Sequence, residues 1–365
     1  MQKTDFGHLP QTVSRRRFLS GAASLGGAAL ATPMLSRGAW AQSNELRVLF
    51  PGGTWHEFFQ NAITNPFSAA HGTEFVWNTG LGFEPLVITQ RRRPQWDLIH
   101  QNQNSSSQLG ALGAVVEWSE DNIPNLKDIH PSFRYPYLAG KVHTPYGIAV
   151  NTREVPNGAT RWSDMWAPEF NGKVGFPAWE WMGQEVFHTI NQINGGTPDN
   201  VDPGIEQMRR LFTENGAIIV SNVEHARQLL VEGEIWIMPH FGARTLQAQA
   251  AGAPVEFVIP EEGGLSFIWN TAIIANRPDA SIELAHRFVD SSLDPEIQIE
   301  FCKLTDYPPT NMELMRNMPP ELAHLELSED EVEALGAIQR EFDYMAMFAF
   351  RDQIRDRWNR EVLGS

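Results

Sequence analysis

Aromatic and amide side chains are concentrated in short segments that follow the apolar, β-branched stretches of this chain. Three of these segments are Thr54-Trp55, 100–104 and 239–241. Aromatic faces attract desolvated ammonium groups by about 0.5–2 kcal/mol each, and amides form hydrogen bonds to polar groups. These residue types therefore indicate an amphipathic ligand with an apolar body and polar ends, for which a nearby carboxylate would provide the counter-charge.

The sequence contains no arrangement of residues typical of an enzyme. A Gly-x-Ser-x-Gly turn, a phosphate-binding loop and a His-Glu-x-x-His helix are all absent. Glu185 and His188 form a single Glu-x-x-His pattern, whereas a di-iron site needs two. The one cysteine, Cys302, lies in a helical pattern and is predicted to be a core residue. We expect no catalytic residue, no metal and no cofactor; a secreted metal- or cofactor-dependent enzyme is the alternative.

Alternating strands and helices must position the aromatic and amide segments. Apolar patterns predict strands at 46–50, 74–78 and 96–100, with helices between them. Thr54 and Glu57 have the spacing of a capping box, in which the hydroxyl and the carboxylate accept each other's backbone N–H groups. This order predicts a parallel sheet with right-handed crossovers, whose ligands lie beyond the carboxyl ends of the strands.

The same alternation returns in the second half of the chain. Short strands are predicted at 173–177, 217–220, 235–238 and 255–259, and helices at 183–193, 204–215, 223–232 and 244–251. Two further segments, 145–151 and 268–276, are typical of crossings between two halves. Because a chain of this length exceeds what one core usually holds, we expect two lobes.

The start of the chain has the pattern of an export signal. Three consecutive arginines at 15–17 contain the arginine pair and precede an apolar, glycine- and alanine-rich run at 18–35, and residues 39–41 form a small-x-small cleavage site. A membrane anchor is the alternative, but the glycines, Pro33 and Arg37 make this run a poor span, since about 20 apolar residues are needed. The pattern predicts a twin-arginine signal cleaved after Ala41 and a periplasmic protein.

The charge of the chain is strongly acidic. It has 28 Lys and Arg against 44 Asp and Glu, a formal net charge of −16. Cleavage after Ala41 would remove five basic residues and one acidic residue, leaving −20. Such a protein repels nucleic acid and anionic membrane surfaces, so neither is expected as a partner.

Several segments, taken in order, resemble the polyamine-type extracellular solute-binding proteins of ABC transporters. The start of that family matches Gly-Gly-Thr-Trp at 52–55, followed by Asn-Pro-Phe at 65–67. Further matches lie at 146–151, 162–166, 169–175, 259–263 and 285–296. The resemblance implies a type II periplasmic binding protein, an α/β fold with two lobes. Each lobe would have a mostly parallel sheet flanked by helices, and two hinge crossings would join the lobes.

The resemblance also implies boundaries, a function and partners. It assigns residues 1–41 to the signal peptide, 42–147 and 276–365 to lobe 1, and 148–275 to lobe 2. The expected function is to capture a small polar or cationic organic solute, a polyamine or a related amine, by closing the two lobes around it. The expected partners are this solute and an ABC transporter permease in the inner membrane, and the expected state is a monomer.

By resemblance, residues of both lobes form the ligand site. Trp55 matches the aromatic residue that lines the first lobe, and Asn102 and Asn104 fall where that family places polar contacts. Glu185 corresponds to a ligand carboxylate of the second lobe, although a solvated residue in the first turn of a helix is the alternative for this position. Thr54 would act through nearby backbone amides if it is not simply a helix cap.

The returning strand departs from the polyamine pattern. By resemblance, the cleft aspartate of the family falls at Asn270, beside Trp269, and His240 occupies the position expected for the asparagine of an aromatic–Asn pair. Because Asn270 is uncharged, Glu180 is a candidate to neutralise a terminal ammonium, and a smaller amine or an amine-bearing zwitterion fits as well. The complete predicted site is Thr54, Trp55, Asn102, Asn104, Glu180, Glu185, His240, Trp269 and Asn270.

Overall fold

Seven of the strands that the structure describes form one mixed sheet, and the other four form two separate pairs. The computed structural model describes residues 44–80, 82–330, 332, 335 and 342–364, so the predicted export signal lies outside the described residues. The strands are β1 (Glu45–Phe50), β2 (Glu74–Thr79), β3 (Leu98–Gln101), β4 (Arg134–Tyr135), β5 (Leu138–Ala139), β6 (Val142–Asn151), β7 (Gly175–Pro177), β8 (Ile218–Val220), β9 (Ile237–Phe241), β10 (Val255–Val258) and β11 (Leu265–Ile273). The sheet order is β10-β6-β11-β3-β1-β2, and β9 also pairs with β6.

Helices connect the strands and form most of the described chain after the last strand. They are α1 (Thr54–Phe59), α2 (Asn65–His71), α3 (Glu84–Gln90), α4 (Gln103–Ala111), α5 (Gln184–Ile193), α6 (Asp202–Thr213), α7 (Val223–Glu232), α8 (Gly242–Ala250), α9 (Asp279–Ser292), α10 (Pro295–Thr305), α11 (Met312–Arg316) and α12 (Tyr344–Arg357). Among the described residues, none of the helices has the length and apolar character needed to cross a bilayer.

The first half of the sheet confirms the predicted β-α-β-α-β order. β1 pairs in parallel with β2 on one side and with β3 on the other. The carboxyl ends of β1 and β3 therefore lie side by side, and the chain leaves them into α1 and α4. This edge is where the loops of a parallel sheet meet a ligand.

Two long strands, β6 and β11, join the two halves of the sheet, as predicted for the crossing segments. The first part of β11 pairs antiparallel with β6, ending at Trp269 opposite Val142. The second part pairs antiparallel with β3, beginning at Asn270 opposite Gln101. β11 therefore changes its partner between two adjacent residues of the predicted site.

The hydrophobic residues form two large clusters. The first includes residues of β1, α9 and α10, and it contains Cys302 as a fully buried member, as predicted. The second includes residues of α5, α6 and the end of the chain, where Trp358 is 1% exposed. Trp269 packs against both clusters. Two cores agree with the expectation of two lobes, while the exact lobe boundaries stay a prediction.

The end of the chain packs against the second cluster, although the predicted boundaries placed it with the first. Trp358 lies between aromatic rings at 5.5 Å from Phe176, 5.1 Å from Trp179 and 5.7 Å from Phe212. A buried tryptophan of this kind contributes both apolar area and ring contacts, which together anchor α12.

Candidate functional site

The loop between β1 and α1 begins the site with a glycine turn. Gly53 precedes α1 with φ = 73°, a conformation that favours glycine, and its carbonyl accepts from His56 N at 2.9 Å. No side chain caps the helix, and Thr54 is exposed as its first residue. The predicted capping box of Thr54 and Glu57 is therefore wrong, because the glycine turn makes Gly53 the residue that begins the helix.

A group of packed aromatic rings lies near the carboxyl ends of β1 and β3, at the point where β11 changes its partner. The Trp55 ring centroid lies 4.8 Å from that of Trp269, and the His100 ring lies parallel to Trp269 at 5.2 Å. Tyr307 adds a fourth ring, 5.6 Å from Trp55. The structure thus brings together Trp55 and Trp269, which are both half-buried and were both predicted as ligand contacts.

Hydrogen bonds hold the His100 ring in one tautomer. Trp55 Nε1 donates to His100 Nε2 at 3.1 Å, and since an indole N–H can only donate, the proton of the neutral imidazole is on Nδ1. His100 Nδ1 faces Thr271 Oγ1 at 3.2 Å, and Lys141 Nζ donates to the same oxygen at 3.1 Å. Burial, and then the charge of Lys141, hold the pKa of His100 well below its usual range. The histidine therefore acts as a neutral support for Trp55.

The second half of the fold contributes a buried carboxylate, Glu185. Glu185 lies in the first turn of α5 and is 8% exposed, so the alternative of a solvated surface residue is wrong. Its Oε1 accepts from Asn104 Nδ2 of α4 at 3.1 Å. Burial raises the pKa of Glu185, and the Asn104 bond partly opposes that effect. Within the described chain, Glu185 forms no ion pair, so its carboxylate has an amide partner but no counter-ion.

A small cavity surrounds Glu185. Its lining includes Asn102, Tyr135, Phe267 and Tyr344. Asn102 begins α4, where its side chain accepts from Ser105 N at 3.0 Å, so only part of its hydrogen-bonding capacity remains for a ligand. Asn102, Asn104 and Glu185 therefore lie together, while their role as ligand contacts stays a prediction.

Asn270 lies close to the rings in the sequence but points away from the cleft. It is fully buried, its Nδ2 donates to the Gln101 carbonyl, and its Oδ1 accepts from Ser106 at 3.4 Å. Because adjacent residues of a strand face opposite sides, Trp269 and Asn270 cannot both line the same surface. The Asn270 side chain therefore stabilises the fold and does not contact the group formed by Asn102, Asn104 and Glu185, called the Glu185 group below.

Glu180 and His240 also lie apart from the Glu185 group. Glu180 is exposed and pairs with Arg355 of α12. His240 is buried on β9, where its Nδ1 lies 2.9 Å from Thr245 Oγ1 of α8. Burial lowers the pKa of His240 to about 4, so it is a neutral core histidine. Neither position gains support as a ligand contact from the structure.

Sequence reasoning missed several residues of the site. Tyr344 is buried at the start of α12, where its hydroxyl shares a hydrogen bond with Gln103 and lies close enough to Glu185 for their charges to interact. Phe267 connects this cavity to the rings, with its centroid 4.8 Å from Trp269. The alternation of β11 from Trp269 could have indicated Phe267, whereas no local pattern places Tyr344 next to Glu185. No group of three metal-ligating side chains occurs in the part of the chain that the structure describes.

Comparison with known proteins gives the family. The model of the bacterial extracellular solute-binding proteins matches residues 98–334. The chain belongs to this family. Its members bind solutes, and the secreted-enzyme alternative has no support from the comparisons.

The relatives and structural neighbours agree with this assignment. The chain is 24% identical over 297 residues to spermidine/putrescine-binding periplasmic protein 1 of Haemophilus influenzae, covering 78% of this chain and 80% of that protein. It is 22% identical over 289 residues to the spermidine/putrescine-binding periplasmic protein of Escherichia coli, covering 74% and 80%. The crystal structure of an ABC transporter protein from Clostridium perfringens superimposes with a TM-score of 0.72 at 20% identity, covering 87% of this chain and 99% of the neighbour. The fold is the two-lobed α/β fold of type II periplasmic binding proteins, as the resemblance implied.

Proposed function

We propose that this solute-binding protein captures a small amine-bearing organic solute in the periplasm and delivers it to the permease of an ABC transporter. The ammonium group of the ligand is neutralised by Glu185, and its apolar part lies against Trp55 and Trp269. The observation that carries the proposal is the buried Glu185 carboxylate, which has an amide partner and no cation within the described chain.

The charge of Glu185 makes this residue a suitable amine anchor. A buried carboxylate without a cation is costly, and a ligand ammonium removes that cost when it binds. The Asn104 amide orients one carboxylate oxygen and leaves the other for the ligand. This arrangement supports an amine more strongly than a neutral sugar, which would leave the carboxylate uncompensated.

The relatives support the same ligand class. Both named relatives bind spermidine and putrescine according to their names, and they are periplasmic. The Asn270 side chain of this protein is engaged with Gln101 and supplies no charge. We therefore infer one strong amine anchor, Glu185, and a ligand that is a polyamine or a related amine. Asn102, Asn104, Trp55 and Trp269 are its proposed contacts.

The mechanism of capture is a shift between two conformations. β6 and β11 cross between the halves of the sheet, and the Asn104–Glu185 bond joins a helix of one half to a helix of the other. A ligand that contacts both halves stabilises the closed form by its differential affinity for that form. Closure of this kind lets the permease distinguish the loaded protein from the empty one.

The proposal also includes export by a twin-arginine signal at residues 1–41, which is then cleaved. The mature protein is proposed to be a monomer. The arginine pair and the small-x-small site support export in the folded state. Determination of the amino-terminal residue of the protein recovered from the periplasm tests this step, with Gln42 expected as the first residue.

A thermal-shift screen of the purified protein tests the ligand class. The set contains putrescine, spermidine, short monoamines, quaternary ammonium compounds and neutral sugars, with metal ions as controls. A ligand at about a hundred times its dissociation constant adds about 2.7 kcal/mol of stability, which is a clear shift. We expect shifts with amines only; shifts confined to sugars or metals would refute the proposal.

Substitution of Trp55 by alanine is expected to weaken amine binding about tenfold. The substitution removes the ring that faces Trp269, and an aromatic face contributes about 0.5–2 kcal/mol to binding a cation. Isothermal titration calorimetry measures the effect. Trp236→Ala is the matched control, because Trp236 packs against Lys173, away from the cleft. Unchanged affinity in Trp55→Ala would remove this residue from the site.

A further inference from the structure

The cavity around Glu185 is lined by a serine whose hydroxyl group has no hydrogen-bond partner. Ser266 of β11 lines this cavity together with Glu185 and Asn102. The residue is 9% exposed, and among the described residues its Oγ is buried without a hydrogen-bond partner. A buried hydroxyl that makes no hydrogen bond lowers the stability of a protein. A ligand that donates a hydrogen bond to Ser266 Oγ would remove this cost.

The backbone around Ser266 is fixed by Gln103, the first residue of α4. Gln103 Nε2 donates to the Ser266 carbonyl, and Gln103 Oε1 accepts from Ile268 N at 3.3 Å. These two bonds use the amide of Gln103 and the backbone of β11, whereas the Ser266 hydroxyl takes no part in them. The fold therefore fixes the position of Ser266 and leaves its hydroxyl for a ligand.

Three hydrogen-bond acceptors line the cavity. They are the Glu185 carboxylate, the Ser266 hydroxyl and the side-chain oxygen of Asn102. The Asn102 oxygen has two lone pairs, of which Ser105 N uses one. An ammonium group that carries no methyl groups has three N–H donors and no acceptor. The number and the kind of polar groups in the cavity therefore match a primary ammonium group.

The size of the cavity favours a small head group. Its volume is about 20 Å³, and about 10–15 Å³ is enough to hold one water molecule. Apolar side chains, among them Met182, Leu265 and Phe342, form other parts of its lining. A primary ammonium group is comparable in size to a water molecule. Each N-methyl group needs additional space and replaces a hydrogen-bond donor.

The aromatic rings of the site do not provide a different place for a methylated ammonium group. Quaternary ammonium ligands are bound in cages of aromatic side chains that surround an open space. In this protein the Trp269 ring packs against Trp55 at 4.8 Å and against His100 at 5.2 Å. These rings fill the space between one another, while the cavity lies beside Glu185.

We infer that the cavity around Glu185 is a subsite for an unmethylated, primary ammonium group, and that Ser266 Oγ is the ligand acceptor that determines this specificity. The inference rests on the proposed function, because it keeps Glu185 as the amine anchor. It divides the proposed ligand class. Amines with a primary ammonium end bind, whereas amines of the same length and charge with methylated ends are rejected.

A methylation series tests the inference. Putrescine and its derivatives with one, two or three methyl groups on each nitrogen are titrated calorimetrically into the purified protein. Chain length and charge are constant in this series, and no derivative keeps a primary ammonium end. We expect the first methyl group on each nitrogen to weaken binding about tenfold, because it removes a hydrogen bond from a charged group. The quaternary derivative should show no measurable binding.

Ser266→Ala separates the hydroxyl from the other groups of the cavity. We expect this variant to bind putrescine about tenfold more weakly, and the derivative with two methyl groups on each nitrogen within about threefold of the wild type. Ser292→Ala is the matched control. Ser292 is also buried, but its Oγ donates to the Val289 carbonyl at 2.6 Å, and it lies on α9, outside the cavity lining. Ser292→Ala should lower the melting temperature and leave amine affinity unchanged, whereas Ser266→Ala should not lower the melting temperature of the ligand-free protein.

Each outcome has a defined meaning. If the methylated derivatives bind as tightly as putrescine, the inference fails while the proposed amine function stands. If Ser266→Ala keeps the full affinity for putrescine, or destabilises the ligand-free protein as Ser292→Ala does, Ser266 is not the ligand acceptor and the inference also fails. If no member of the series binds, both the inference and the proposed function fail.

Discussion

Replacement of Glu185 by glutamine is expected to weaken amine binding by at least thirtyfold and, at the same time, to stabilise the ligand-free protein. Removing one partner of a buried charge pair costs about 2–5 kcal/mol of binding. In the ligand-free protein the same carboxylate is buried with neutral hydrogen-bond donors and, among the described residues, no ion-pair partner, so its removal relieves a desolvation cost of the order of 1 kcal/mol. Because the unpaired carboxylate destabilises the ligand-free protein and stabilises the complex, its removal should raise the stability of the free protein and lower its affinity for amines.

The pH dependence follows from the raised pKa of Glu185. Burial raises this pKa above the ordinary carboxyl value of 4.5, so the folded state holds a proton that the unfolded state has already lost. The contribution of Glu185 to stability is therefore lost as pH rises from 4.5 through the folded pKa. Amine affinity changes in the other direction, because the ligand needs the ionised carboxylate. Affinity should fall as pH decreases through the folded pKa, and Glu185→Gln should remove this dependence.

Glu180→Gln is the matched control for this experiment. Glu180 carries the same group five residues earlier, but its side chain is 68% exposed and pairs with Arg355. Exposed ion pairs contribute about 0–1 kcal/mol, so this variant should bind amines normally. Calorimetric titration and thermal melts, both over a range of pH, measure the two effects. Equal losses of affinity in Glu180→Gln and Glu185→Gln would contradict the assignment of the anchor.

Replacement of Lys141 by methionine is expected to stabilise the protein by about 2–3 kcal/mol at neutral pH. Lys141 is 1% exposed, and its Nζ has Thr271 Oγ1 as a neutral partner. Burial lowers the pKa of Lys141 from 10.5 to about 7. A difference of this size corresponds to roughly 4 kcal/mol of lost stability near pH 7 in the wild type. The substitution removes this cost but also removes the hydrogen bond to Thr271, which lowers the gain in stability by about 1 kcal/mol.

The pH dependence distinguishes this explanation from better packing by methionine. Between about pH 7 and the unfolded value of 10.5, the unfolded state binds more protons than the folded state at this position, so stability rises with pH. Tyrosines with raised pKa, such as Tyr146, act in the opposite direction at higher pH. Chemical denaturation from about pH 7 to about pH 9 should therefore show a rise in wild type that Lys141→Met lacks.

Lys173→Met is the control for the lysine experiment. Lys173 is half-buried and lies over the Trp236 ring at 5.2 Å, where its charge is favourable. We expect the Lys173→Met substitution to leave the free energy of unfolding unchanged or to lower it slightly. A gain in Lys173→Met as large as that in Lys141→Met, or a Lys141→Met variant that is less stable at pH 7, would show that the buried charge is not the cause.

Local patterns were sufficient for the elements and for part of the site. The strands β1, β2 and β3 and the helices between them were predicted within a few residues. The spacing of apolar residues within each short segment is enough to distinguish a strand from a helix. The crossings β6 and β11 were recognisable for the same reason. Trp55 and Asn102 come shortly after the carboxyl ends of β1 and β3. Their position at the same edge of the sheet could therefore be predicted from the order of the strands alone. The charge of the candidate ligand-binding side chains was visible in the sequence, but their exposure was not.

The sequence by itself determined the α/β class, the family and the residue types that suit an amine. Only the tertiary structure decided which of those residues share a surface. Trp269 and Asn270 are adjacent on β11 and therefore face opposite sides, and the packing decides that Trp269 joins the rings while Asn270 is buried against Gln101. Glu185 and Glu180 lie on adjacent turns, yet Glu185 is buried beside Asn104 of α4 and Glu180 is exposed beside Arg355 of α12. Arg244 and Tyr307 are far apart in the chain and meet only through the packing of α8, which no local period encodes.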